Sequence, residues 1–219
     1  MRVLIVLIVL CLVTAVSVQA APSYLGPTGN ILTPDTLTAP ASGFDIGYHF
    51  LSDFGGDTSI VHGNIGLTPA IEVGASWRDS SGGGSGELSV NGKWRFLDET
   101  ATGPALAVGV LDLTSDAFNN DPSIYFVISK NLTAVAEDVA NGQSKPLRGT
   151  LGIGGGFYDG IFGALDWTLA PQLSVMLEYA HPSDFSGGIR WAATPEIRLD
   201  AALIDFSDFG AGISYTKGF

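Results

Sequence analysis

From Phe44 to the end of the chain, apolar and polar residues alternate in segments of eight to eleven residues, separated by Gly, Asp, Asn, Ser and Pro. The clearest case is 71–78, IEVGASWR, in which Ile, Val, Ala and Trp alternate with Glu, Gly, Ser and Arg. Successive side chains of a β-strand point to opposite faces, so each segment has one apolar face and one polar or glycine face. The pattern therefore predicts an all-β fold.

Twelve of these segments are predicted to be strands of about nine residues, the length that a tilted strand needs to cross a bilayer. They are 44–51, 58–67, 70–79, 87–97, 104–112, 123–130, 149–157, 161–169, 172–180, 185–193, 196–205 and 209–217. The stretch 131–148 is too long for a tight turn and contains a candidate short helix at 133–139, so its role stays open. Ten or fourteen strands are therefore alternatives to twelve.

The first twenty residues have the features of an export signal. Arg2 precedes an apolar run, 3–16, which is followed by SVQA at 17–20 with small residues before a cut after Ala20. Cys11, the chain's one cysteine, lies inside the apolar run. We expect a signal peptide at 1–20, an N-terminal lead segment at 21–43 and a barrel at 44–219. Within the lead, 24–40 is either periplasmic or inserted into the lumen.

Composition excludes several other classes of protein. Charged residues make up 15% of the chain, against about 25% in a typical soluble domain, and 29 of the 219 residues are glycine without a three-residue period. Apolar residues throughout the chain argue against disorder, and one cysteine rules out a disulfide scaffold. The formal net charge of -12 argues against a nucleic-acid partner. After residue 21, no apolar run approaches the 18 residues of a membrane helix.

Two architectures use half-apolar strands of this kind. A soluble sandwich buries the apolar faces, whereas a transmembrane barrel turns them to lipid and keeps polar side chains in the lumen. The export signal, the alternation of short Pro-containing turns with longer acidic loops, and an aromatic C-terminus favour the barrel. The predicted fold is a transmembrane antiparallel up-and-down β-barrel, with a soluble exported β-sandwich binding module as the alternative.

The final run, 209–219, resembles the C-terminal recognition strand of bacterial outer-membrane proteins. Tyr215 and Phe219 are its assembly-signal positions, and Lys217 departs from the usual apolar pattern. The resemblance implies a bacterial outer-membrane location. It also implies contact with the barrel-assembly machinery, outer-membrane lipid and lipopolysaccharide.

A second resemblance involves about half of the chain that follows the signal. The opening 24–36, YLGPTGNILTPDT, leads through Pro40 to GFDIGY at 43–48 and resembles the start of YjbH-type outer-membrane barrels. The C-terminal third is also similar, in 161–167, 177–179, 184–191 and 208–215. The resemblance implies an envelope component associated with exopolysaccharide production or export, with polysaccharide-export components as partners.

If the apolar faces look outward, ten charged side chains look into the lumen. They are Glu72, Arg78, Glu87, Lys93, Arg95, Asp166, Glu178, Arg190, Arg198 and Asp200. Glu72 is expected beside Lys93 and Arg95, and Glu178 beside Arg190 and Arg198. These charges either form cross-strand ion pairs that hold the wall, or line a constriction that selects solutes by charge.

Catalysis has little support in the sequence. His49 and His62 fall on adjacent predicted strands with Ser59 nearby, but no histidine belongs to a nucleophile motif. The glycine runs lack the Lys and Ser/Thr of a phosphate-binding loop, and closely spaced metal ligands are absent. We therefore expect no enzyme, cofactor or metal. The function predicted is a passive envelope component or narrow channel, with a general small-solute porin as the alternative.

Overall fold

A computed structural model describes residues 20–82, 86–118, 121–133, 146–180 and 185–219. The strands are β1 (Phe44–Leu51), β2 (Thr58–Thr68), β3 (Ile71–Ser80), β4 (Glu87–Leu97), β5 (Ala105–Leu111), β6 (Ser123–Asn131), β7 (Leu147–Gly154), β8 (Gly160–Ala170), β9 (Leu173–Tyr179), β10 (Phe185–Ala192), β11 (Ile197–Ile204) and β12 (Asp208–Lys217). A short 3₁₀ turn, η1 (Gly156–Tyr158), joins β7 to β8.

The twelve strands form one closed antiparallel barrel. Each strand pairs with its neighbours in sequence, and β12 closes the ring against β1 from Phe44↔Lys217 to Leu51↔Gly210. The predicted twelve-stranded up-and-down barrel is therefore confirmed, and the soluble two-sheet sandwich is wrong. Closure pairs every strand on both sides, so the sheet has no free edge.

The two faces of the wall differ in the way that lipid outside and polar groups inside require. Outward side chains such as Trp77, Leu151 and Ile161 are 50%, 63% and 67% exposed. Inward side chains of the same wall, including Glu72 and Glu178, are buried. A soluble domain with so many exposed apolar side chains would aggregate, whereas a lipid-facing wall requires them.

The main boundary error is at β7, for which the alternation predicts 149–157, whereas the strand ends at Gly154. Gly156 adopts a φ of +64°, which turns the chain into η1. The Phe157 amide then donates to Ser123 Oγ at 2.6 Å, and both Phe157 and Tyr158 are buried. The apolar run that suggested a longer strand therefore packs into the end of the lumen.

Some expectations lie at or beyond the limits of the described residues. The expected signal peptide is outside them except for Ala20, as is most of the candidate helix at 133–139. The described ends of the 131–148 connection continue the β6–β7 hairpin, since the Leu132 amide donates to Leu147 O at 2.7 Å. Helices long and apolar enough to span a membrane are not found in the described part of the chain.

Tyr215 and Phe219, the predicted assembly-signal positions, lie where the barrel closes. The ring of Phe44 lies 6.0 Å from that of Tyr215 and 5.8 Å from that of Phe219. Phe219 is 86% exposed. The aromatic C-terminus therefore lies on the outer side of the β1–β12 seam, at the end that carries the short turns.

Candidate functional site: the occupied lumen

The lumen contains the chain's own N-terminal segment, residues 21–39, here called the plug. Nearly all of its residues are buried, including Leu25, Ile31 and Leu32. The lead segment was expected to be either periplasmic or inserted into the lumen, and the structure shows insertion. The sequence suits this role because its Gly, Pro, Thr and Asn residues favour turns over strands.

The plug is a compact coil that satisfies part of its own backbone. The Tyr24 amide donates to Ile31 O at 2.8 Å, the Gly29 amide to Ala21 O at 2.9 Å and the Asn30 amide to Thr33 O at 2.8 Å. The other buried amides and carbonyls need partners on the wall, because an unpaired buried backbone group is costly. The charged side chains of the lumen supply many of them.

Glu178 on β9 holds the middle of the plug. Its carboxylate accepts hydrogen bonds from the amides of Ile31, Leu32 and Thr33 at 3.1, 2.8 and 3.0 Å, and from Thr33 Oγ1 at 2.7 Å. Three successive amides that converge on one anion form a backbone nest. Hydrogen bonds to a charged group are stronger than neutral ones, so Glu178 is a principal anchor.

Glu72 on β3 holds the plug nearer the short-turn end. It accepts hydrogen bonds from the Thr28 amide at 3.0 Å, from the Thr28 hydroxyl and from the Ala39 amide at 2.7 Å. Lys93 lies opposite Glu72 in register, with Nζ 3.8 Å from Oε1, and donates to Thr28 O at 2.6 Å. Lys93 is also 3.9 Å from Asp35 of the plug. A wall ion pair and the plug therefore share one network.

The plug's carbonyls are held by arginine. Arg190 on β10 donates to the carbonyls of Pro22, Gly29 and Asn30, each at 3.1 Å, while its Nε lies 2.6 Å from Asp200 Oδ1. This one guanidinium thus connects the wall to two parts of the plug, Pro22 at its start and Gly29 with Asn30 further along. Its planar fork suits several acceptors at once.

Arg148 on β7 contacts the later part of the plug. Its Nη2 donates to Thr36 Oγ1 at 2.8 Å, and its Nη1 lies 2.8 Å from Glu99. Tyr158, in η1, donates its hydroxyl to Leu32 O at 3.0 Å. Burial, with the nearby Glu178 carboxylate, raises the pKa of Tyr158 well above its ordinary value. This phenol therefore stays a hydrogen-bond donor at physiological pH.

Tyr24 packs the start of the plug against two buried histidines. Its ring stacks on His49 with centroids 4.3 Å apart, and His62 Nε2 lies 3.1 Å from His49 Nδ1. His49 Nε2 is 3.6 Å from Asp200 Oδ2, and His62 Nδ1 is 3.9 Å from Asp45 Oδ1. The row Asp45–His62–His49–Asp200 therefore connects β1, β2 and β11 beneath the plug.

The long-loop end of the lumen is closed by apolar packing. Phe54 and Phe118 from the loops pack on a buried cluster that includes Phe157. The Arg78 guanidinium lies 5.9 Å from the Phe118 ring centre and donates to Ala117 O at 2.7 Å. Loop residues thus cover the long-loop end of the lumen, and the plug belongs to the same buried cluster through Leu25, Ile31 and Leu32.

The ten charges predicted for the lumen lie on the inner side of their strands, in several different roles. Glu72, Lys93, Glu178 and Arg190 bind the plug. The other six contact residues of the wall or of its rim. These contacts are Arg78 with Glu87 (3.0 Å), Arg95 with Asp98 (2.8 Å), Arg198 with Thr216 (3.2 Å) and Asp200 with Arg190, while Asp166 lies opposite Arg148 in register.

Three of the four expected pairings need correction. Glu72 does lie beside Lys93, but Arg95 is at the rim, where it pairs with Asp98 and donates to Pro69 O. Glu178 was expected beside Arg190 and Arg198, but it binds plug amides while Arg190 pairs with Asp200. The expected pairs considered only charges on neighbouring strands, whereas the plug supplies further hydrogen-bond partners inside the barrel.

The histidine pair does not form a nucleophilic site with Ser59. Ser59 lies on the opposite face of β2 from His62, where its Oγ is 3.0 Å from the outward Tyr48 hydroxyl. Within the described ranges, no group of three or more His, Cys, Asp or Glu side chains is placed to hold a metal ion. The histidines connect the wall beneath the plug, and this is a structural arrangement.

Sequence reasoning missed several residues of the site, among them Asp45, Arg148, Glu99 and Tyr158. Asp45 and Arg148 fall on inward strand positions, and Glu99 pairs with Arg148 from the connection after β4. Strand alternation identifies Asp45 as inward, so that signal was present. Arg148 lay in the stretch 131–148, whose role the sequence did not define, and Glu99 lies outside any alternating segment.

Gly210 offers a local test of the plug's packing. A Cβ at Gly210 would lie 2.4 Å from Tyr24 Cε2, so Gly210→Ala must displace the tyrosine. We expect the free energy of unfolding to fall by about 1–3 kcal/mol, as for other overpacked sites, measured by urea titration of the folded barrel. Gly63→Ala is the matched control, since its Cβ would meet no heavy atom closer than 3.6 Å. Equal midpoints for the two variants would contradict this packing.

Comparisons with models of known families and with curated proteins find no match. Among solved structures, the KdgM porin is similar with a TM-score of 0.60 and 12% identity over 80% of this chain and 99% of that chain. Omp33 of Acinetobacter baumannii gives 0.51 and 11% over 80% and 98%. An outer membrane channel from Pseudomonas putida F1 gives 0.50 and 11% over 87% and 100%. The fold is thus that of outer-membrane porins and channels.

Proposed function

We propose that this chain is an outer-membrane β-barrel held closed by its own N-terminal plug, and that it is an envelope component and not an open porin. The observation that carries this is the buried plug, anchored by Glu72 and Glu178 through its amides and by Arg190 through its carbonyls. The similar porin structures support a barrel in the outer membrane, and the exposed apolar wall supports contact with its lipid and lipopolysaccharide. In this proposal the chain is not an enzyme.

The finer part of the proposal concerns surface polysaccharide. The resemblance of 24–48 and of the C-terminal third to YjbH-type barrels supports a role in exopolysaccharide production or export, alongside polysaccharide-export components. Most of the residues that carry the N-terminal half of that resemblance are those of the plug. The likeness therefore extends to the part of the chain that closes the lumen.

A narrow channel that opens when the plug withdraws is the second candidate. Twelve strands lie between eight, whose interior is filled by side chains, and sixteen, which enclose an open channel. Side chains of both charge signs line the lumen, and several of them are hydrogen-bonded to the plug while it is bound. In this alternative the same anchors control access of solutes.

Deleting the gene in its native host separates these roles. We expect surface polysaccharide to fall several-fold, while uptake of a small hydrophilic dye stays unchanged because the resting barrel is closed. Complementation with the intact chain should restore the polysaccharide. Reduced dye uptake with normal polysaccharide would instead identify a porin and overturn the proposal.

A further inference from the structure

The outer surface of the barrel wall has a cleft across β6–β9, which has no part in the proposed closure of the lumen. Its volume is about 540 Å³. Most of the side chains that line it, such as Leu151, Ile161 and Leu165, are on the lipid-facing side of their strands, and the lumen-facing residues Ser129, Thr150, Phe162, Ala164 and Glu178 also border it. The lining is mainly apolar, and it also contains Ser129, Lys130, Thr150 and Glu178. It includes Ile128, Leu151, Ile161, Leu165, Leu177 and Tyr179.

Two glycines form the floor of the cleft. Gly149 faces Leu165 in the β7–β8 register, and Gly163 faces Leu151, so each glycine is opposite a leucine. A Cβ at Gly163 would already lie 3.0 Å from Leu151 Cδ2. The wall is therefore thin at two adjacent positions, between rows of large side chains, and a narrow apolar chain can approach the backbone.

The dimensions and ends of the cleft suit a single acyl chain. One row of the lining crosses from Lys130 on β6 to Leu177 on β9. Three strand spacings make this row roughly 14 Å long around the wall, and it runs obliquely to the membrane normal because the strands of a membrane barrel are tilted. At the short-turn end the row finishes at Lys130, whose Nζ is 3.8 Å from Glu99. At the long-loop end Tyr179 and Phe185 pack with ring centres 5.2 Å apart.

We propose that this cleft is a binding site for one acyl chain of a glycerophospholipid from the leaflet at the short-turn end. The inference rests on the proposed membrane location, but not on the plug or on polysaccharide. The apolar belt around the cleft is continuous with its lining, so lipid is the surrounding medium. The polar end of the cleft lies at the end of the barrel that carries the three short Pro-containing turns, β2–β3, β8–β9 and β10–β11, and short turns mark the periplasmic end of a bacterial outer-membrane barrel, which gives the leaflet.

Native mass spectrometry of the barrel extracted from outer membranes tests the site. We expect one phospholipid to stay bound to the wild-type chain. Gly163→Leu fills the floor, and occupancy should fall roughly tenfold if the new side chain displaces about two methylene groups of the acyl chain. Gly149→Leu is a second variant with the same expectation.

Gly63→Leu is the matched control, because Gly63 also faces lipid but lies on β2, away from the cleft, where an added Cβ would meet Asp45 O and Ile46 Cγ2 at an ordinary contact distance of 3.6 Å. Heat-modifiable migration on gels shows which variants have folded. Equal phospholipid retention by folded Gly163→Leu and Gly63→Leu chains would overturn the site, and so would retention of lipid A in place of phospholipid. Normal polysaccharide with lost lipid would leave the proposed function intact, so the two failures are distinguishable.

Discussion

A variant that lacks residues 22–39 should conduct ions in a planar bilayer, whereas the intact chain should be electrically silent. The deletion removes the hydrogen-bond partners of Glu72, Glu178, Lys93 and Arg190 in the plug. It leaves every pairing between strands in place. Closed barrels of this size keep their wall through hydrogen bonds between strands, which the plug does not supply. We therefore expect discrete current steps from a folded, heat-modifiable barrel.

The selectivity of the opened barrel provides an internal control. Without the plug, Arg190 loses its three carbonyl acceptors and presents positive charge to the lumen beside Asp200. Arg190→Gln in the deletion background should shift selectivity toward cations. Arg95→Gln should shift it less, because Arg95 is at the rim with Asp98. A folded deletion variant that remains silent, or an intact chain that conducts, would show that the plug does not close the barrel.

The barrel itself could be predicted from sequence because the pattern that defines each strand lies within a short stretch of the chain. Strand alternation in segments such as 71–78 reports directly which face meets lipid, and the number of segments gives the number of strands. The ends of strands were predicted less well. At β7, Phe157 and Tyr158 continue the apolar pattern, yet a left-handed Gly156 turns them inward, and no local signal distinguishes the two outcomes.

The site depends on contacts between distant parts of the chain. Glu178 is 145 or more residues from the amides it binds, and Arg190 is at least 160 from its plug carbonyls. Alternation showed that both side chains face inward, but their partners are backbone atoms of a segment without periodicity. Every residue except proline has a backbone amide, so the sequence does not show which amides will bind a carboxylate. Charged side chains on neighbouring strands were the only partners that the sequence could suggest, and for Glu178 that suggestion was wrong.

Glu178→Ala should partly open the barrel without shortening the chain. The change removes four hydrogen bonds to a carboxylate and leaves the amides of Ile31, Leu32 and Thr33 buried without that acceptor. Since hydrogen bonds to charged groups contribute about 1.5–3 kcal/mol each and are not additive, we expect closure to weaken by roughly 3 kcal/mol or more. That is on the order of a hundredfold in the ratio of closed to open barrels.

The readouts for Glu178→Ala are brief current openings and faster protease cleavage of the plug in folded barrels. Glu178→Gln should be intermediate, because its amide oxygen still accepts hydrogen bonds without the negative charge. Glu87→Gln is the matched control, since that carboxylate also faces the lumen but pairs with Arg78. Because it makes no anchor to the plug, it should behave like the wild-type chain in both assays. Wild-type protection and silence in Glu178→Ala would mean that the remaining anchors, Glu72 and Arg190, hold the plug without it.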